Sequence, residues 1–447
     1  MPATGSAHQR VAGQCLSGRG RDGAERDGVG HAAVLRALSR FSTARPGKGE
    51  MFRRVRLRRE CLTVDQYGRR WWIDGGEPGA GCRGGVASPM TAYVPILKAK
   101  KGETDALRNL AALPVQMRPL LEVTPQEPNE TDTADDEAAK FTARVNKLAR
   151  ALRDDVPEAV VCAIDTAMVD GAAYAEDVWK PIVGVLTELL FPKPVRPVVR
   201  LTDSPERLTQ AREIISTFED GACLRLEPVT GPLPINQATT VLNSVLSTLD
   251  QSPQGIDLVI DLCAINDDDS AQRACTAALA CLAWAEGVPW RSVTVASSAF
   301  PHTLAGLPVD TVTPLQRRDA DLWRQVCDGW QGRPVDFGDY AIAHPALGKG
   351  FRGLPNLRYT TDTQWQVWRR RTPEHLSNRR FCLICQDVVA SEHWSGEHCW
   401  GDTQIASRAQ GRPEDCPNPG SATDWRAFGT SRHLAVVTDR LARLGEP

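Results

Sequence analysis

The sequence predicts a closed (β/α)8 barrel followed by a C-terminal extension, and three observations carry that reading. Short β-rich runs alternate with helical stretches from residue 93 onward. There are eight such runs, at roughly 35 residues per repeat, the spacing of a (β/α)8 barrel. A polar residue ends the same face of each run. A doubly wound open parallel sheet is the alternative that alternation alone leaves standing.

The strand candidates are Tyr93–Lys98, Pro119–Glu122, Val160–Asp165, Pro197–Arg200, Ala222–Glu227, Ile256–Asp261, Ser292–Ser297 and Val335–Tyr340. Helical spacing marks Glu103–Ala112, Ala138–Leu152, Val178–Leu190, Pro205–Phe218, Gln237–Leu249, Ala271–Ala285 and Ala320–Trp330. Asp203-Ser204-Pro205 has a polar cap before a first-turn proline, a helix start signal. Asp267-Asp-Asp269 opens a helix, where carboxylates favour the positive end of the dipole, so capping is preferred to metal binding there. Asp132 to Glu137 reads as a solvated acidic loop.

Alternate residues of a barrel strand point inward. Taking the apolar run of each strand as its inward face, Val94 and Ile96 lead to Lys98, Leu120 to Glu122, Val161 and Ala163 to Asp165, and Val198 to Arg200. Cys223 leads to Arg225, Val259 to Asp261, Val293 and Val295 to Ser297, and Val335 and Phe337 to Asp339. These polar groups should ring the C-terminal mouth, where barrels of this kind do their chemistry. Glu122, Asp165 and Asp261 are the candidate general acids and bases, and Lys98, Arg200, Arg225 and Asp339 the candidate substrate contacts. Three cations among four anions suit an anionic substrate such as a phosphate-bearing one, with a divalent cation as an option, or equally a self-neutralising ion-pair network.

Composition limits the other classes. The 447 residues are 42 % hydrophobic and 24 % charged, with a net charge of −2. No run reaches the roughly 20 apolar residues of a membrane span, and no apolar signal-peptide core opens the chain, so a cytoplasmic protein is expected. Residues 1–89 carry 16 Lys and Arg against 8 Asp and Glu, +8, leaving −10 for the rest. Without periodicity, this arm is expected to be disordered or to lie upstream of a start at Met90 rather than to bind nucleic acid. Within it, Cys61–Val64 and Arg70–Ile73 are placed to form a hairpin in residues 59–75. The 13 cysteines are scattered and several, such as Cys162, Cys223 and Cys263, lie in apolar runs, where they act as small hydrophobes. Cys382-x2-Cys385 with His393, His398 and Cys399 is spaced too tightly for a zinc module, since only seven residues separate Cys385 from His393. Phosphate-loop, nucleophile-elbow and His-Glu-x2-His strings are absent, which disfavours a nucleotide triphosphatase, a serine esterase and a zinc protease.

A set of ordered strings resembles one family. Tyr93-Val-Pro-Ile-Leu-Lys98, Gly102-Glu103, Ala106-Leu107 and Arg118-Pro-Leu-Leu-Glu122 are followed by Asp261-Leu262, Ser298-Ala-Phe-Pro301 and Arg317 to Trp323. Phe337-Gly-Asp-Tyr340, His344-Pro345 and Asn356-Leu-Arg-Tyr-Thr360 come next, then Cys399-Trp-Gly-Asp402, Gln404-Ile405, Ala422-Thr-Asp-Trp-Arg426, Gly429-Thr430 and His433-Leu434. Together, over residues 91–440, they are similar to the bacteriophage-type beta protein family. Two positions depart: Ser431-Arg432-His433 stands where an Asn-His-His run is expected, and Cys399 where Ser is expected. The resemblance implies an architecture more than a reaction, and a phage association that raises a second reading, an interaction protein in phage–host conflict or defence with a protein partner. The segments are then a basic arm (1–89), a barrel (90–345) and an α-rich extension (346–447). Trp400, Asp402, Trp425, Arg426 and His433 of the extension either build a small satellite core or fold over the barrel mouth.

Overall fold

The computed structural model describes residues 62–64, 70–72, 91–111, 113–126, 131–175, 177–188, 192–228, 235–348, 354–371 and 378–447. The expected arm and start at Met90 lie outside these residues, except for two short strands. Those strands, β1 (Leu62–Val64) and β2 (Arg70–Trp72), pair antiparallel with Leu62 opposite Trp72.

Seven parallel strands follow in chain order: β3 (Tyr93–Lys98), β4 (Leu120–Glu122), β5 (Cys162–Asp165), β6 (Val195–Val199), β7 (Ala222–Leu226), β8 (Ile256–Ala264) and β9 (Ser292–Ser298). The barrel closes through β11 (Asp336–Asp339), which lies between β9 and β3 with Phe337 opposite Tyr93. Closure rules out the open sheet. Between the strands run α1 (Lys101–Arg108), α2 (Ala134–Asp154), α3 (Trp179–Leu186), α4 (Pro205–Phe218), α5 (Ile235–Leu249), α6 (Asp268–Glu286) and α7 (Arg318–Gly329). Their starts follow local chemistry. The Ser204 hydroxyl accepts from the Arg207 amide ahead of Pro205, and Asp267 and Ser270 form a reciprocal capping box. The acidic segment expected as a loop belongs instead to α2: Thr133 caps it in a box with Asp136, and Asp135, Asp136 and Glu137 fill its first turn. Carboxylates there complement the helix dipole, which is why a solvated charge run and a helix start look alike.

Two apolar layers result. Val94, Ile96, Leu120, Ala163, Val198, Cys223, Val259 and Ala296 fill the barrel interior, while Leu97, Leu121, Ile164, Val199, Leu224 and Ile260 point outward to the helices.

The α-rich extension also carries strands. β12 (Asn356–Thr360) and β13 (Gln364–Arg369) form a hairpin, and β10 (Thr311–Gln316), from the connection after β9, adds antiparallel to β13. Helices α8 (Arg380–Val389), α9 (Trp400–Ala409) and α10 (Ala422–Leu444) pack with this sheet around Tyr359, Trp368, Phe381, Trp425 and Phe428, with Phe381 and Trp425 stacked at 4.4 Å. Cys382 and Cys416 are joined as a disulfide, unlike the buried Cys162 and Cys223, which pack as small hydrophobes with thiols pushed up by burial to about 12. No described helix is long and apolar enough to cross a membrane.

Candidate functional site at the barrel mouth

Parallel pairing sets Lys98 beside Glu122 and Glu122 beside Asp165 at one level of the barrel. Arg225 lies across from them and organises the ring. Its Nε and Nη2 donate to Asp261 Oδ2 at 2.9 and 2.6 Å, and its Nη1 donates to Glu122 Oε1 at 3.0 Å and Asp165 Oδ2 at 2.6 Å. Nη2 also reaches the Tyr340 hydroxyl at 2.7 Å, which itself donates to Asp261 Oδ2 at 2.6 Å. All five N–H groups of Arg225 are thus spent. Arg200 donates to both oxygens of Asp165 at 3.0 and 2.9 Å and to Glu227 at 3.0 Å. Lys98 is bonded to Glu122 and donates to the Pro345 carbonyl at 2.6 Å, leaving one of its three N–H groups.

At Asp165, Arg200 and Arg225 burial opposes the charge and the pairings outweigh it. Burial pushes the Asp165 carboxyl up, but the Arg200 and Arg225 guanidiniums hold it well below the usual carboxylate range. Arg225 is raised well above its ordinary value because, against the cost of burial, it faces Asp261, Tyr340, Glu122 and Asp165. Tyr340 is raised by burial and by the Asp261 charge. A cleft of about 410 Å³ opens next to Asp165, lined by Thr166, Val169, Asp170, Arg207 and Gln210 among others.

Six of the eight strands deliver the expected residue to the mouth: Lys98, Glu122, Asp165, Arg200, Arg225 and Asp261. Asp339 and Ser297 do not join them. On β11 the inward positions are Gly338 and Tyr340, and Phe337 stacks outside against Tyr93 at 5.8 Å. A Cβ at Gly338 would come within 2.7 Å of the Ala296 Cβ, so the interior has no room for a side chain there. On β9 the inward residue is Ala296, while Val293 and Val295 join the outer layer. Both faces of a barrel strand are buried, so an apolar run does not say which face is inner.

Asp339 instead anchors the extension. Its Oδ1 accepts from the Tyr93 hydroxyl at 2.7 Å, its Oδ2 lies 2.7 Å from His433 Nε2 on α10, and Arg317 stands 3.6 Å away. On the other side of the ring, His433 Nδ1 lies 3.0 Å from the Thr360 hydroxyl and 3.3 Å from the Trp365 indole nitrogen. Burial raises the Asp339 carboxyl, yet His433 and Arg317 leave it below its ordinary value. Arg432, in the place of an expected histidine, donates to Asp402 at 3.0 Å and to the Thr360 carbonyl at 3.0 Å. Cys399, in the place of an expected serine, is the N-terminal cap residue of α9, and burial raises its thiol to about 11. Trp425 therefore belongs to a satellite core, whereas His433 reaches the barrel.

Two groups escaped sequence reasoning. His344, on the loop after β11, lies 4.9 Å from the His302 ring, and burial with the charges of His302 and Lys98 holds its imidazole below the usual value. Its position just past a barrel strand was the available signal. The second is a network at the opposite end: Asp257 accepts from Arg118 at 3.2 Å, Arg196 at 2.9 Å, Arg291 at 2.7 Å and the Ser292 hydroxyl at 2.6 Å. Reading the same face backward would have found it, in Arg118-x-Leu120-x-Glu122, Arg196-x-Val198-x-Arg200 and Asp257-x-Val259-x-Asp261. Among the described residues, no three His, Cys, Asp or Glu side chains are grouped to hold a metal.

Comparison with known proteins adds the lineage. No curated protein matches the chain. Among solved structures, a mandelate racemase/muconate lactonizing enzyme from Bordetella bronchiseptica RB50 aligns at 12 % identity and a TM-score of 0.24, over 56 % of this chain and 53 % of that one. The alignment thus spans about half of that enzyme, and at this score it carries no argument. The family described as Beta protein matches residues 93–439, from the first barrel strand to the last helix, and the chain belongs to the beta protein family.

Proposed function

We propose that the protein is an enzyme acting on a small anionic substrate at the barrel mouth, with Lys98 and Glu122 as the reactive pair. The observation that supports this is the division of labour in the ring. Arg225 is fully bonded and Asp165 is held ionised by two arginines, so neither can exchange a proton or a ligand without breaking the network. Lys98 keeps a donor for a developing oxyanion, and Glu122 holds the ammonium in place. His344, on the loop that also supplies the Pro345 carbonyl to Lys98, is shifted by burial and its neighbouring charges toward the neutral form that accepts a proton. Asp165, Asp261 and Arg225 then position the pair. A divalent cation at these carboxylates would have to displace Arg225.

The test is untargeted. The full chain is incubated with a small-molecule extract and the mixture followed by mass spectrometry. A phosphate- or carboxylate-bearing compound should be consumed, about a hundredfold more slowly by folded Lys98→Met or His344→Ala. If nothing is consumed, or if both variants match the wild type, the enzymatic reading fails. One observation favours the other reading, an interaction protein in phage–host conflict: the saturation of Arg225 is also what a purely structural network would show. Protection against infection that survives Lys98→Met and His344→Ala would support that reading.

A further inference from the structure

Most arginines drawn into the interior answer to carboxylates, Arg225 to Asp261, Arg317 to Asp319, Arg432 to Asp402 and Arg118 to Asp257, while Arg408 donates only to Gln404. Arg358 and Arg426 do not answer to a carboxylate either. Strand β12 and the first turns of α10 bring them to a single acceptor, the Ile342 carbonyl, at 2.5 and 3.3 Å. Among the described residues neither has a carboxylate oxygen within 4.0 Å. Each has therefore spent one of five N–H groups on a shared oxygen, and both remain partly accessible.

We propose that Arg358 and Arg426 form an anion-binding subsite for a phosphate or carboxylate group of a small-molecule ligand. Two guanidiniums converging on one neutral oxygen repel each other, and an anion between them removes the repulsion while using planar donors built for it. Burial and the Arg426 charge already hold Arg358 well below its ordinary value, with Glu103 opposing them. Glu103 is a poor substitute for a ligand, because burial raises its own carboxyl and it makes no ion pair within 4.0 Å. The surroundings support the pair. The Phe300 ring lies under the Arg358 guanidinium at 4.6 Å, fixing its plane. Gly102, in the first turn of α1, lets that helix approach closely, since a Cβ there would stand 2.9 Å from the Thr423 carbonyl and 3.1 Å from the Arg426 Cγ. The positive end of α1 and exposed Lys100 add to the field.

Ile342, whose carbonyl takes the arginines, and Pro345, whose carbonyl takes Lys98, lie on one loop after β11. The subsite thus supplies the anion grip that Arg200 and Arg225, already paired, do not. It rests on the proposed enzymatic reading only in calling the ligand a substrate.

The full chain is titrated calorimetrically with inorganic phosphate and, separately, with malonate at constant ionic strength. Saturable binding of at least one is expected, with phosphate or malonate preference identifying the group. Arg358→Met and Arg426→Met should each weaken it at least tenfold, while Arg318→Met, at an arginine paired with Asp268 on the surface, leaves it unchanged. Should a variant fail to fold, arginine-directed dicarbonyl labelling of the wild type decides: the binding anion should slow modification of Arg358 and Arg426 but not of Arg318. Absence of binding by both anions, or binding that neither variant weakens and that protects neither arginine, overturns the subsite. Intact titration without any substrate turnover overturns the enzyme reading and leaves the subsite standing.

Discussion

The two ends of the barrel are built on the same principle with the charges exchanged. At the mouth one arginine, Arg225, is surrounded by Glu122, Asp165 and Asp261; at the base one aspartate, Asp257, is surrounded by Arg118, Arg196 and Arg291. The helices run antiparallel to the strands, so their positive N-termini lie at the mouth and their negative C-termini at the base. Carboxylates gathered around Arg225 at one end and arginines gathered around Asp257 at the other each complement that field. The contrast separates what holds the barrel from what is available for chemistry. The base is a set of ion pairs, whereas the mouth adds Lys98 with an unspent donor and, on the loop after β11, the His344 imidazole, held below its ordinary value by burial.

The largest effect should come from removing either centre. Arg225→Met leaves Asp261 without a cationic partner and removes one partner each from Glu122 and Asp165, and Asp257→Ala removes the carboxylate that Arg118, Arg196 and Arg291 share. Each should cost about 3–5 kcal/mol in urea unfolding, because the remaining buried charges lose their compensation. If Arg225→Met were much milder than Asp257→Ala, the mouth network would be less structural than the base.

Acidification should come next. Asp165 and Asp257 are both held below the ordinary carboxylate range, burial opposing and their arginines prevailing. The unfolded chain therefore binds protons first. Their stabilisation is complete at neutral pH and declines as pH falls below the unfolded value of about 3.9 toward the lower folded ones. The stability gap between wild type and Asp165→Asn should narrow between pH 7 and pH 3; a constant gap would show that Asp165 does not act through its charge.

The smallest effect is steric and tests the facing of β11. Gly338→Ala forces a Cβ against Ala296 and should lower stability by about 1–3 kcal/mol. A neutral result would mean that the interior tolerates a side chain where the barrel has left room for none.

Sequence alone determined the alternation and the count, because a strand that crosses a barrel needs a short β-rich run and a helix that covers it needs apolar spacing and a cap. Ser204-Pro205 and Asp267 marked their helix starts from local chemistry, and six strands could be read correctly to their polar ends. Which face of β9 and β11 turned inward was a tertiary decision, since both faces are buried and the close approach of Gly338 to Ala296 leaves room on one side for no larger residue. The transfer of Asp339 to His433, the base network and the sheet shared by β10 and β13 likewise join residues tens to hundreds of positions apart. No local pattern specifies such partners; they exist because a buried charge must find its counter-charge wherever the packed chain places one.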